Sequence, residues 1–281
     1  MKTFAEQKAF VAKLNLIEDE FFSKVAEDLE ACEEIIRIIL QKPDLKLIDN
    51  QPQRVLRNID KRSVTLDLLC EDAAGNKFNV EVQKSDCTDH QKRMRYNLSN
   101  IDTSFVEKGI AFNEVPDIYA IMISAFDPFK ENKTIYHVQR ILLETGTATE
   151  NGIHEIYVNT AVDDGSDISE LMQYFLDSKA EVHPKFEKLS RRVLYYKETN
   201  KGVDNMSSVF EEYAEKYAEK YAEKYAEKYA EKYAEKYVLK SEEKTAINML
   251  KENAPIEFIV KVIPSLSIEK IKELQASLEE K

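Results

Sequence analysis

From Val64 to Gln83 apolar and polar residues alternate through two short runs, with Asp72-Ala73-Ala74-Gly75-Asn76 between them. A period of two is the signature of a strand, and the Gly and Asn of the connection suit a hairpin turn. A lone hairpin is at best marginally stable in water, so the chain must supply further strands and helices to cover it. Alternation puts Val64, Leu66, Leu68 and Cys70 on one side of the first strand and Thr65, Asp67, Leu69 and Glu71 on the other. On the return strand Val80 and Val82 oppose Asn79, Glu81 and Gln83. If the two apolar rows share a core, Asp67, Glu81 and Gln83 converge on one polar face.

The flanking sequence contains candidates for those covering elements. Glu18 to Leu40 reads as a helix, because Phe21, Phe22, Val25, Leu29, Cys32, Ile35, Ile36 and Ile39 recur at near-helical spacing. Arg54 to Ile59 reads as a strand, Asp89 to Val106 as a helix, and Asp117 to Ala125, Thr134 to Glu144 and His154 to Thr160 as further strands. Helices near Ile168 to Asp177 and Phe186 to Tyr196 complete an α/β or α+β plan. No run approaches the 18 or so apolar residues of a membrane span, and the N-terminus lacks the basic, apolar, small-residue order of a secretory signal. The expectation is a soluble, cytoplasmic chain that makes no membrane contact. Cys32, Cys70 and Cys87 match neither a disulfide framework nor a zinc site, and the 4 histidines show no paired metal-ligand spacing, so reduced thiols and no zinc are expected.

Tyr-Ala-Glu-Lys is repeated from Tyr213 to Lys236 and opens once more at Tyr237. A period of four on a helix of 3.6 residues per turn makes the tyrosine stripe spiral, which excludes a regular heptad coiled coil. The repeat reads as a solvated helical spacer, with self-association through the tyrosines as the alternative. Beyond it, Glu242 to Lys251, the segment from Pro255 to Pro264, and a segment capped by Ser267 read as three short helices. They resemble a helix-turn-helix but lack its basic footprint, so a packing or oligomerisation module is an equal reading. The expected division is residues 1–200 as the α/β body, 201–240 as the repeat helix and 241–281 as the helical tail.

The formal charge of −12 excludes a surface that attracts polyanions everywhere. Residues 1–212 carry 27 basic against 38 acidic side chains, and the rest 13 against 14, so the acidity belongs to the body. Within it, Lys84, His90, Gln91, Lys92, Arg93, Arg95 and Tyr96 form the densest basic and hydrogen-bonding cluster, directly after Gln83. Arg54, Arg57, Lys61 and Arg62 would widen it. Two carboxylates on adjacent strands are what a hard divalent cation needs, with positions left for water and a substrate phosphate. A phosphate-binding surface beside such a pair would look like this cluster. Ordinary solvated strand and helix faces show the same alternation and charge, so the pattern alone leaves both readings open.

Leu66-Asp67-Leu68-Leu69, then Asn79-Val80-Glu81-Val82-Gln83, then His90-Gln91-Lys92-Arg93-Met94-Arg95-Tyr96 together resemble the PD-(D/E)XK nuclease family transposases. The resemblance extends from roughly Glu18 to Lys197 and takes in Asp127-Pro128-Phe129 and His154-Glu155-Ile156-Tyr157-Val158-Asn159. It implies a restriction-endonuclease-like fold with a mixed central sheet flanked by helices, here followed by the repeat helix and the helical tail. It further implies cleavage of DNA phosphodiesters with Mg²⁺, for which Mn²⁺ substitutes, in recombination or mobile-element biology. On this resemblance Asp67 and Glu81 are metal ligands, with the Val82 carbonyl as a further donor and Asp19 as an acidic residue facing the metal. Gln83 stands where the wider superfamily has lysine, which implies slow or conditional cleavage with Gln83 orienting water. Lys84, Gln91, Lys92, Arg93, Arg95 and Tyr96 are the expected contacts to the DNA backbone. Double-strand breaks need two sites, for which the arm and tail offer themselves as the contacts of a homodimer or higher oligomer. The competing reading is a catalytically weak or inactive nuclease-fold protein that serves as a binding or assembly module.

Overall fold

The computed structural model describes residues 4–57, 63–86, 88–106, 108–206 and 237–279, with isolated positions between 209 and 233. In chain order the body runs α1 (Phe4–Val11), α2 (Asp19–Val25), α3 (Leu29–Leu40), β1 (Leu47–Leu56), β2 (Val64–Asp72), β3 (Lys77–Gln83) and α4 (His90–Phe105). It continues with β4 (Ile118–Ser124), β5 (Ile135–Val138), β6 (Arg140–Leu142), β7 (Thr147–Thr149), β8 (Ile153–Asn159), α5 (Asp167–Leu176), α6 (Glu187–Glu198) and α7 (Asn200–Asn205).

Six strands form one mixed sheet in the order β1-β2-β3-β4-β8-β5. β1, β2 and β3 pair antiparallel, β3, β4 and β8 pair parallel, and β5 closes the far edge antiparallel to β8. Parallel neighbours cannot be joined by a tight turn, and α4 provides the crossover from β3 to β4. β4 is buried along its whole length, as an apolar strand covered on both faces should be. On one face α2, α3, α5 and α6 pack Phe22, Ile36, Phe175 and Leu189 against Leu68, Val80, Ile121 and Val158 of the sheet. On the other, α4 packs Met94, Leu98 and Ile101 against Leu66, Leu69, Ala120, Met122 and Tyr157. The result is the helix-flanked mixed sheet expected from the sequence.

Four details differ from the reading of periodicity. The Glu18-to-Leu40 helix is two helices: the chain leaves α2 at Ala26, and Asp28 caps α3 by accepting the Ala31 N–H at 3.1 Å. Both helices present apolar residues to one core, so the spacing hides the break. The strand expected from Thr134 to Glu144 divides into β5 in the main sheet and β6, which pairs only with β7. β1 begins at Leu47, well before Arg54, and carries Pro52, whose missing N–H is tolerated because β1 is an edge strand. Lastly, Val64, Leu66, Leu68 and Cys70 do not share one face. Val64, Leu66 and Leu69 join the core under α4, whereas Leu68 and Cys70 join the opposite one. The pleat is interrupted between Leu66 and Leu68, opposite Gln53 of β1, which has a left-handed φ of 51°.

Contacts divide the chain into Met1–Glu212 and Tyr213–Lys281. In the second unit residues 237–251, Ile256–Val262 and Ile268–Glu279 are helical and pack around Ala246, Ile259, Ile263, Leu266 and Ile271. The Ser267 hydroxyl accepts the Lys270 N–H at 3.2 Å and caps the last helix. Most of the Tyr-Ala-Glu-Lys repeat, with Lys61, Arg62 and Cys87, lies outside the described residues. Among the described residues no helix is long and apolar enough to cross a membrane.

Candidate active site

Asp67 sits where the pleat of β2 is interrupted. The regular β2/β3 ladder runs from Glu71↔Lys77 to Leu68↔Val80, which leaves Asp67 and Glu81 as the next residues on the two strands. The Asp67 carboxylate accepts the Val82 N–H at 2.9 Å through Oδ2. That bond aims a half-buried carboxylate at the neighbouring strand β3.

Glu81 lies on the β3 face covered by α4, together with Asn79, and its register partner on β4 is Met122. It is only 7 % exposed. Burial pushes its carboxyl well above the ordinary value, and the Asp67 carboxylate pushes it further; the Asn79 side chain, the Asp67 backbone and the Arg93 guanidinium oppose the shift. Glu81 Oε1 and both side-chain amide atoms of Asn79 are buried with no hydrogen-bond partner among the described residues. Leaving such groups unsatisfied costs free energy, and a buried anion beside a like charge costs more. Two hard oxygen donors that destabilise each other, one carrying a partnerless buried oxygen, are the chemistry a divalent cation relieves. The residues therefore fit such an ion, with Asp67 and Glu81 holding it.

Gln83 ends β3. Its Oε1 accepts Arg93 Nη1 at 2.8 Å, and its Nε2 donates to the Ser85 carbonyl at 2.9 Å. The amide is fixed at both ends, and it ties the first turn of α4 to the strand end. Arg93 is thereby a neighbour of the carboxylate pair, and its charge acts on Glu81.

The other residues singled out from sequence are distributed unevenly. At 100° per residue, Met94, Leu98 and Ile101 define the buried stripe of α4. That stripe leaves Arg93 on one flank, Gln91 and Arg95 on the other, and Lys92 and Tyr96 outermost. The cluster therefore borders two surfaces. Lys84 Nζ donates to Glu18 Oε1 at 2.7 Å, so part of its charge is compensated. Glu18 was not singled out in sequence; its side chain is 11 % exposed and its Oε2 is buried and partnerless among the described residues. Asp19 begins α2 and accepts the Glu20 N–H at 3.0 Å. Glu18 is joined through Lys84 to the end of β3. An acid preceding a helix reads locally as a cap, and only its long-range partner distinguishes it. Among the described residues no group of three or more His, Cys, Asp or Glu forms a ready metal cage.

A helix-flanked mixed sheet with an acid on β2, an acid and an amide two residues apart on β3, and a basic helix following defines a nuclease-type architecture. The family profile of PD-(D/E)XK nuclease family transposases matches residues 11–162, which reach from the end of α1 to just past β8. The match covers more than half of the chain, and the chain belongs to this family. No curated protein and no solved structure matches it.

Proposed function

We propose that the protein is a metal-dependent DNA endonuclease acting in recombination or mobile-element biology, with Asp67 and Glu81 as ligands of Mg²⁺ or Mn²⁺. The observation that carries this reading is the buried, partnerless Oε1 of Glu81 beside the Asp67 carboxylate. A divalent cation held there would supply positive charge to the phosphate and make a bound water more acidic. Asp67 and Glu81 would hold it. Asp19 and Glu18 are candidate further acids, through ordered water or at a second ion. Gln83, clamped by Arg93 and Ser85, orients the attacking water. Lysine would place a cation at this strand end, and Arg93 restores that charge from α4. Lys84, Gln91, Lys92, Arg95 and Tyr96 position the DNA backbone.

Supercoiled plasmid incubated with Mg²⁺ or Mn²⁺ tests the reading. Wild type is expected to nick or linearise it, and Asp67→Asn and Glu81→Gln are expected not to. Equal cleavage by all three proteins would remove the carboxylate pair from the chemistry. Gln83 in place of lysine favours a second reading, a nuclease-fold assembly module of weak or no activity. On that reading metal raises the melting temperature of none of the three proteins.

A further inference from the structure

We propose that the cleft between the first turn of α4 and the Asp127 loop receives a single unpaired nucleobase of the bound DNA strand. This deepens the DNA reading above and rests on it.

The cleft has a volume of about 400 Å³. That lies toward the lower end of small-ligand sites and leaves room for a planar heterocycle. One wall is the segment Pro128-Phe129-Lys130, which is held rigidly. The Asp127 carboxylate accepts the N–H groups of Phe129 at 3.1 Å, Lys130 at 3.0 Å and Asn132 at 2.8 Å, and the Tyr136 hydroxyl at 2.7 Å. These bonds support left-handed backbone at Lys130 (φ 60°) and Asn132 (φ 54°). The Phe129 ring stands edge-on to Tyr136 at 4.9 Å and to Tyr157 at 5.1 Å, so it is a fixed aromatic surface. His90 also lines the cleft, buried, packed on Phe126 at 4.8 Å and bonded to Asp86 at 2.8 Å.

The charges around the cleft select the guest. Lys92 and Lys130 are matched by Asp86 and Asp89, so the interior does not favour a phosphate. A neutral planar ring with donors and acceptors on its edge suits these walls, with Thr88, Asp89 and Gln91 available to that edge. Gln91 and Lys92 line the cleft and also belong to the proposed backbone-binding set, so a strand they hold passes over its mouth. Stacking on a pre-fixed aromatic ring tolerates any base, because every base has a π-face.

The test uses the full-length protein in chelator with two labelled DNAs, one carrying a single unpaired 2-aminopurine and the other a fully paired duplex. Binding is expected to change 2-aminopurine emission. Phe129→Leu, which keeps an apolar side chain, should abolish that change and weaken binding of the unpaired DNA roughly 10-fold. Its affinity for the paired duplex should be unchanged, and Phe129→Tyr should restore both signals. Duplex affinity also reports folding: its loss in Phe129→Leu together with a lowered melting temperature would assign Phe129 to packing and overturn the cleft. Wild type that binds both DNAs equally, with emission identical in Phe129→Leu, would remove the base site and leave the endonuclease reading standing. Binding of neither DNA would remove both.

Discussion

Glu81→Gln keeps the shape of the side chain and removes its charge, so it separates the electrostatics of the site from its packing. Folded Glu81 favours its neutral form, because burial and the Asp67 carboxylate raise its pKa, whereas in the unfolded chain it ionises near 4.5. The folded protein therefore holds a proton that the unfolded chain releases, and the stability Glu81 confers declines as pH rises above 4.5. Each pH unit contributes about 1.4 kcal/mol, so the penalty at pH 7 has a ceiling of about 3.5 kcal/mol. Glutamine carries no such penalty. The expected result in chelator is a variant melting above wild type at pH 7, by about 2–4 °C for each kcal/mol recovered, with the gap closing as pH approaches 4.5. Mg²⁺ should raise the melting temperature of wild type alone. A variant that melts at or below wild type at every pH from about 5 to 8 would refute the account of Glu81 as a strained buried acid.

Three further outcomes are expected. Lys197 is 1 % exposed and donates to the carbonyls of Leu14 at 2.5 Å and Ser178 at 2.6 Å. Burial lowers its pKa to about 8 from 10.5 against the opposing charges of Asp177 and Glu18. The unfolded chain therefore binds the extra proton, stability rises with pH from about 8 toward 10.5, and Lys197→Met should flatten that rise in a pH series of thermal melts. Replacing Lys92, Arg93 and Arg95 together with alanine should lower the slope of log affinity against log salt by about 2–3 in DNA titrations, because each lost phosphate contact removes about 0.9; an unchanged slope would clear this helix of backbone contacts. Ser267→Ala removes the cap of the last tail helix and should cost about 1 kcal/mol in a far-UV melt of the full chain, while Ser267→Thr, which keeps a hydroxyl, costs little.

Much of the architecture is legible along the chain because its elements have strong local periods. The β2/β3 hairpin, the helix from His90 and the buried strand Ile118–Ser124 all fall within a residue or two of where alternation and helical spacing put them. Where local signals overlap, reading fails: two helices that face one core are indistinguishable in spacing from one long helix, and a strand that changes sheets at Gln139 looks continuous. The match of Leu66 with Leu68 fails for another reason, since alternation assumes an unbroken pleat and the break depends on Gln53 of the facing strand.

The candidate site divides along the same line. That an acid at 67 and an acid and amide at 81 and 83 occupy neighbouring strands follows from period two and the length of the turn, and so is written in the sequence. That Glu81 is buried under a helix, that Arg93 bonds Gln83 across ten residues, and that Glu18 meets Lys84 depend on how the layers pack. Burial and long-range charge are properties of the assembled layers. A residue's chemical type is local, but its dielectric surroundings and its partners come from segments that chain order leaves far apart.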